Sequence, residues 1–268
     1  MSADATTETF QIPLEQAEIY EERFVPALFA EWAPQLVDFA GIQPGMDVLD
    51  VACGTGIVTR NAADRLAGRG SVVGLDLNEA MLAVAARVRD DIDWRQGDVA
   101  ELPFPDASFD VVTCQMAMMF FPDRVRALSE MRRVSKEGGT VAILVPSSLE
   151  AQPAWGPFVR IAAEHAGPEA LSLLGSYWSC GDIDELRGWF TSAGLQLTAV
   201  DTRFGTARFP SIDALVTTEI ESTPLVDRLS DDARKAIVED TRKALDPFTT
   251  ADGSLEAPIE CHLIAGRH

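Results

Sequence analysis

Asp50, Asp76 and Asp98 each stand at or near the end of a short apolar run. The first is followed, after Val51, by Ala52–Cys53–Gly54–Thr55–Gly56. A strand, a tight turn carrying Gly-x-Gly and a helix start form the usual seat of a nucleotide-like ligand in an open α/β sheet. Gly54 and Gly56 let the backbone turn sharply and approach a ligand without a Cβ in the way. A dinucleotide fingerprint needs a third glycine where helix and strand pack together. Thr59 stands there, which weakens that reading. Asp76 lies twenty residues beyond Gly56. There a carboxylate can accept from both ribose hydroxyls, each bond worth ~1.5–3 kcal/mol. Asp98, after the next run, is placed to accept from an adenine amino group.

Acids in that order suit S-adenosylmethionine better than a dinucleotide. The stretches VLDVACGTG (48–56), VVGLDLNEAML (72–82), QGDVAELPFPDASFDVV (96–112), CQMAMMFFPD (114–123) and EMRRVSKEGG (130–139) carry a wider likeness. Together they resemble the class I S-adenosylmethionine-dependent methyltransferases, most of all the branch similar to the ubiquinone/menaquinone C-methyltransferases. The resemblance runs collinearly over Tyr20 to Val145; residues 147–268 share only the general layout of such enzymes.

The resemblance implies roles by position. Ala52, Cys53 and Gly54, with Gly56 completing the turn, would pass the methionine moiety by backbone contacts, and Asp76 would hold the ribose. Leu77 and Met81 would flank the adenine, while Asp98 and Val99 would read its amino group and ring edge. Gln115 and Met116 would line the cofactor near its sulfonium, and Tyr20 would close over it. Ala52 departs from the family pattern by replacing a common glycine. Met118–Met119–Phe120–Phe121 is more apolar than in many relatives, which implies a greasy acceptor site, although the same four residues could be core.

The sulfonium carbon is already activated, so such an enzyme mainly aligns an acceptor with it; positioning supplies an effective molarity of ~10⁵ M or more. An acidic acceptor such as a phenol also needs a proton acceptor. The sequence commits to no base: His165 and His262 are weak candidates, each more readily read as a solvated or core histidine. Met119, Phe120, Trp155, Phe158, Tyr177 and Trp178 are candidates to line an aromatic wall for a flat or lipid-like substrate, or to pack among themselves. The four cysteines are scattered without a C-x-x-C pair, so no metal site or disulfide framework is expected.

The elements that must position these residues alternate. Helical periodicity over 13–40 precedes strands at 46–51, 72–75, 92–95, 109–114 and 141–145. Between them lie helices at 59–66, 79–88 and 123–134, with Gly138–Gly139 as the stop before the fifth strand. Further helices are expected at 155–166, from 182 to Gly194, at 212–220 and at 231–245 with Ser230 as N-cap, and further strands at 195–203 and 259–264. This order predicts a Rossmann-like, doubly wound α/β fold: a seven-stranded, mostly parallel sheet whose last strand is antiparallel, with helical cap insertions. Residues 1–40 read as an N-terminal helical lid. Residues 41–146, 181–204 and 255–268 read as the core, and 147–180 with 205–254 as a helical, substrate-binding cap.

Composition narrows the partners. The 268 residues carry a formal charge of −20, which disfavours nucleic-acid phosphates and anionic membranes. No apolar run reaches ~18 residues, and the polar, acidic start lacks signal-peptide regions. The expectation is a cytoplasmic monomer or homodimer that methylates a small, apolar or aromatic metabolite on carbon or oxygen. A non-catalytic protein binding S-adenosylmethionine or S-adenosylhomocysteine, and an NAD-dependent oxidoreductase, are the alternatives.

Overall fold

The computed structural model describes residues 12–221, 223, 225 and 228–268. Residues 1–11 of the expected lid and 222, 224, 226 and 227 of the expected cap lie outside the described residues. The chain opens with α1 (Leu14–Ile19), a π-helical stretch (Tyr20–Phe29) and α2 (Trp32–Phe39). Sequence periodicity reads this region as helical, and Pro26 explains the irregularity. Proline has no N–H to donate and crowds the preceding turn, so the helix widens there, and Ala30 N donates to the Val25 carbonyl five residues back at 2.8 Å.

The core follows as β1 (Asp47–Val51), α3 (Ile57–Leu66), β2 (Ser71–Asp76), α4 (Glu79–Val88), β3 (Asp93–Gln96), β4 (Phe109–Gln115), α5 (Arg124–Val134) and β5 (Ser135–Pro146). Side-chain caps start the helices where the sequence offers them: Asn78 on α4 and Asp123 on α5 accept from backbone N–H groups of the first turn. Gly138–Gly139 does not separate α5 from its strand. β5 begins directly at Ser135 and runs through both glycines, because its opening residues pair with β4 across a register shift between Phe109 and Val111.

The cap helices α6 (Trp155–Ala166) and α7 (Pro168–Gly175) come next, then α8 (Ile183–Ser192), β6 (Gln196–Phe209), α9 (Ile212–Glu221), α10 (Asp231–Leu245) and β7 (Leu255–Arg267). Asp182 caps α8, and Ser230 caps α10 through Ala233 N at 3.2 Å. β6 and β7 are longer than the apolar runs suggest. They pair antiparallel from Gln196↔Arg267 to Phe209↔Leu255, so the last ladder extends as a two-stranded ribbon toward the cap. Gly205 does not end β6: a Cβ there would stand 2.6 Å from Trp32 Cζ2, so the glycine permits close packing on α2.

The seven-stranded sheet has the order β3-β2-β1-β4-β5-β7-β6, parallel except for β7, which is antiparallel to both neighbours. β4 and β5 are buried on both faces, as their near-continuous apolar runs require. One core joins the lid, α2, α3 and the cap helices; the other joins α5, α8 and the loop around Leu102 and Phe104. β1 lies between β2 and β4, where the winding reverses. The connections leaving β1 and β4 therefore diverge and open a crevice at the carboxyl edge of the sheet.

Candidate functional site

The turn after β1 is built on left-handed backbone. Ala52 has φ 51°, Gly54 56° and Gly56 86°. Ala52 accepts a conformation that costs an L-residue ~1–2 kcal/mol. The turn is tied to its neighbours: Cys53 N donates to Leu75 O at 3.0 Å and Gly56 N to Cys53 O at 2.9 Å. The two glycines serve different purposes. A Cβ on Gly54 would face Tyr20, 3.7 Å from its hydroxyl. A Cβ on Gly56 would stand 2.2 Å from Trp94 Cη2, and one on Gly74 2.4 Å from Trp94 Cζ3. Gly56 therefore makes room for an indole.

Asp76 joins this turn to α4. Its Oδ2 accepts from Gly54 N and its Oδ1 from Asn78 N, each at 2.8 Å. Burial raises its carboxyl above the usual carboxylate range, against the pull of those backbone donors. Beyond it along the sheet edge, Leu77 and Asp98 are exposed and Met81 and Val99 half-buried. Asp98 Oδ1 accepts from Ala100 N at 2.8 Å, and Gln96 Nε2 donates to Leu77 O at 3.2 Å.

Asp50 is the residue that sequence reasoning left without a role. It is buried, with Oδ2 accepting from Thr59 Oγ1 at 2.6 Å and Oδ1 from Thr113 Oγ1 at 3.0 Å. Burial pushes its carboxyl up to about 7 against these two bonds. Asp50 lines a cavity of about 20 Å³ with Ala52, Cys53, Val58, Gln115, Tyr20 and Phe29. Gln115 Nε2 donates to Phe29 O at 3.2 Å, while its Oε1 is buried without a hydrogen-bond partner. The sequence signal for Asp50 was available: threonine in place of the third glycine supplies the hydroxyl that holds it.

Tyr20 closes this cavity from the lid. Its ring lies 5.9 Å from that of Phe24 and 5.2 Å from that of Phe29. Burial, with the charges of Asp76 and Glu21 nearby, raises its hydroxyl far above the usual phenol range. Glu21, next in the lid, forms a two-point ion pair with Arg60 of α3, at 2.9 and 3.2 Å.

At the end of β4 the backbone turns again, with Met116 at φ 51° and its N–H donating to Leu144 O at 2.7 Å. Here the cap arrives. Tyr177 Oη donates to Met116 Sδ at 3.3 Å, and its ring lies 6.2 Å from that of the exposed Phe120. Trp178 packs edge-on against Tyr177 at 5.4 Å, and Trp155 lies 5.6 Å beyond it. Met119 is half-buried and packs against the other core, with α5 and α8. Phe158 and Trp155 are both fully buried among the cap helices.

Neither candidate histidine is brought to this site. His165 Nε2 meets Asp240 Oδ2 at 2.8 Å, pinning α6 to α10. His262 is held at both ring nitrogens, by Thr202 Oγ1 at 2.8 Å and Gly181 O at 3.1 Å. Its strand neighbours Cys261 and Leu263 belong to the cap-side core, so strand alternation turns His262 to the opposite face.

The family profile described as "Methyltransferase domain" matches residues 49–143. The demethylmenaquinone methyltransferase of Renibacterium salmoninarum is 42% identical over 177 residues, covering 61% of this chain and 72% of the relative. The ubiquinone/menaquinone biosynthesis C-methyltransferase UbiE of Idiomarina loihiensis is 40% identical over 119 residues, covering 42% of this chain and 47% of that one. The match to the latter thus spans about half of that protein's length. A crystal structure of a SAM-dependent methyltransferase from Aquifex aeolicus shares the fold, with a TM-score of 0.53 at 19% identity, covering 70% of this chain and 92% of the other.

Proposed function

The chain belongs to the class I S-adenosylmethionine-dependent methyltransferases, in the branch of the ubiquinone/menaquinone C-methyltransferases. From that premise we propose that it transfers a methyl group to a small, apolar, aromatic acceptor with an ionisable oxygen, a reduced quinone bearing an apolar chain being the class favoured. The observation that carries the acceptor reading is the Tyr177–Met116 contact, which brings an aromatic wall to the end of β4 beside the donor cavity.

The residues present fit S-adenosylmethionine. Gln115 offers a buried acceptor atom without a partner, and Asp76 is fixed by two backbone donors with lone pairs left for ribose hydroxyls. Ala52, Cys53 and Gly54 would face the methionine moiety, Leu77 and Met81 the adenine, and Asp98 and Val99 its edge. When bound, S-adenosylmethionine supplies an activated methyl carbon. The cavity under Tyr20 has room for about one water, far below the ~300 Å³ of a small-molecule pocket. The lid residues Tyr20 and Phe29 must therefore lift for the donor to enter, and on reseating they exclude water from the transfer.

The apolar wall of Phe120, Tyr177 and Trp178 would hold a flat ring, and Met116 would set its depth. We further propose a cytoplasmic location, no nucleic-acid partner and a monomeric or homodimeric state. No helix among the described residues is long and apolar enough to cross a membrane. Calorimetric titration with S-adenosylmethionine and with NAD, followed by transfer of labelled methyl to a prenylated 1,4-naphthohydroquinone, tests the reading. Binding of NAD without the methyl donor overturns the donor assignment. Donor binding without transfer to any hydroquinone overturns the acceptor class.

A further inference from the structure

We propose that Glu219, on the cap helix α9, is the base that takes the acidic hydroxyl proton of the acceptor, and that Tyr177 orients the same oxygen. The inference rests on the reading above that the acceptor carries an ionisable oxygen. The sequence offers no committed base, and the structure removes the two histidines by tying them into the fold. Glu219 is the carboxylate that the cap wall itself presents. Trp155 Nε1 donates to its Oε1 at 2.9 Å. From Trp155 the wall runs through Trp178 to Tyr177, whose hydroxyl meets Met116 Sδ at 3.3 Å at the end of β4. Burial with the neighbouring Tyr20 and Glu219 raises the Tyr177 hydroxyl well above the usual phenol range, so the electrostatics of Glu219 reach the hydroxyl that meets Met116.

The electrostatics suit the role. Burial lifts the Glu219 carboxyl to about 6, against the opposing pull of the Trp155 indole. A base with a pKa just below neutrality is ionised in use and close to the optimum for proton transfer. Three cationic groups on elements near α9 have carboxylate partners of their own. Arg242 of α10 pairs with Asp213, Arg208 of β6 with Glu31, and His165 of α6 with Asp240. The groups facing the Tyr177 hydroxyl, besides Glu219, are Tyr20 and Cys261 of β7.

The step balances. The acceptor O–H proton passes to Glu219, and the freed electron pair enters the ring. A ring carbon, or the oxygen itself, then bonds to the methyl carbon as the S–CH₃ bond breaks and its pair stays on sulfur. In carbon methylation the displaced ring proton leaves to water, which restores the aromatic system. Glu219 then returns its proton to solvent.

The experiment compares wild type, Glu219→Gln, Glu219→Asp and Trp155→Phe in methyl transfer to a prenylated 1,4-naphthohydroquinone, across pH 5–9, with calorimetric affinity for S-adenosylmethionine measured alongside. Glutamine can still accept from the Trp155 indole. E219Q is therefore expected to bind the donor as wild type does, to lose about a hundredfold or more in kcat, and to lose the acidic limb of the kcat profile measured at saturating donor, where the Asp50-dependent affinity does not enter. Trp155→Phe is expected to keep that limb and move it to higher pH, because the lost indole bond favoured the ionised carboxylate. E219Q activity within threefold of wild type, or an unchanged acidic limb in E219Q, overturns the proposal alone. Should E219Q fail to bind the donor, E219D decides: an acidic limb retained at reduced kcat supports the proposal, and its absence overturns it. A wild type that methylates no hydroquinone overturns the acceptor class above, and this proposal with it.

Discussion

Thr59 Oγ1 donates to Asp50 Oδ2 at 2.6 Å, across the space where a dinucleotide-binding turn would carry its third glycine. The residue that weakens the dinucleotide reading thus anchors the acid beneath the cavity proposed for the methyl donor. Thr59→Val keeps the shape and removes the donor from a buried carboxylate. It is expected to cost ~1–3 kcal/mol in urea-unfolding free energy. An unchanged unfolding midpoint would show that Asp50 finds another partner.

Asp50 also makes stability depend on pH, with a definite sign. Its carboxyl stands at about 7 when folded, against an ordinary value of 3.8. Between those values the folded state binds more protons than the unfolded chain, so this residue's contribution is full below about 4 and is lost as pH rises toward 7. Asp50→Asn is expected to flatten the unfolding free energy across that window in the protein without donor. Donor binding adds the reverse trend. A cationic ligand in the cavity favours ionised Asp50, so calorimetric affinity for S-adenosylmethionine is expected to climb as pH rises through about 7 in wild type and to stay level in D50N.

Asp76 carries the most direct donor prediction. Its two oxygens are positioned by Gly54 N and Asn78 N, so Asp76→Ala removes acceptors for two ribose hydroxyls from an already ordered site. At ~1.5–3 kcal/mol for each bond to a charged group, affinity for S-adenosylmethionine is expected to fall at least a hundredfold. Asp76→Asn is expected to fall by less. An affinity for the Ala variant within threefold of wild type would remove the ribose assignment.

The Glu21–Arg60 pair makes the lid's grip measurable. Both carboxylate oxygens are engaged, the side chains are 20% and 14% exposed, and Arg60 Nε also donates to Gly56 O at 3.3 Å. Lid and glycine turn are thus held by one guanidinium. Glu21→Gln weakens this by ~1 kcal/mol, the scale of a partly exposed pair. Stopped-flow displacement is expected to show S-adenosylmethionine leaving about fivefold faster, with little change in association. An unchanged release rate would mean that Tyr20 and Phe29 hold the lid without it.

What the sequence made legible follows from how local each signal is. The order of strands and helices through Val145 was readable because β1, β2, β4 and the second half of β5 are apolar runs, and α4 and α5 open on single Asn and Asp caps. The length of β6 was not, because Gly205 looks like a breaker until Trp32 is seen to fill its missing side chain. The residues proposed to hold the donor could be picked out because the glycine turn, Asp76 and Asp98 lie close together in the chain. Glu219 was not: an acid on an amphipathic helix reads as surface, and its partner Trp155 stands 64 residues away. His262 misled for the matching reason, since a histidine within a strand shows nothing of the Thr202 and Gly181 contacts that occupy both its nitrogens.

Gly56 separates backbone freedom from ligand approach. At φ 86° any side chain is strained, and the direction of its Cβ is filled by the Trp94 indole, which is held in place by its bond from Nε1 to Arg89 O at 2.9 Å. Gly56→Ala therefore meets two penalties: ~1–2 kcal/mol of left-handed strain and the displacement of a ring that cannot rotate away without losing that bond. A loss of ~3 kcal/mol or more in unfolding free energy is expected, within the range of severe single substitutions. The double variant Gly56→Ala, Trp94→Leu removes the clash but not the strain. Because the two sites touch, their effects are not additive. Relative to Trp94→Leu alone, Gly56→Ala is then expected to cost only the strain, ~1–2 kcal/mol. An equal cost in both backgrounds would show that the indole is not what Gly56 accommodates, and would return that glycine to the ligand.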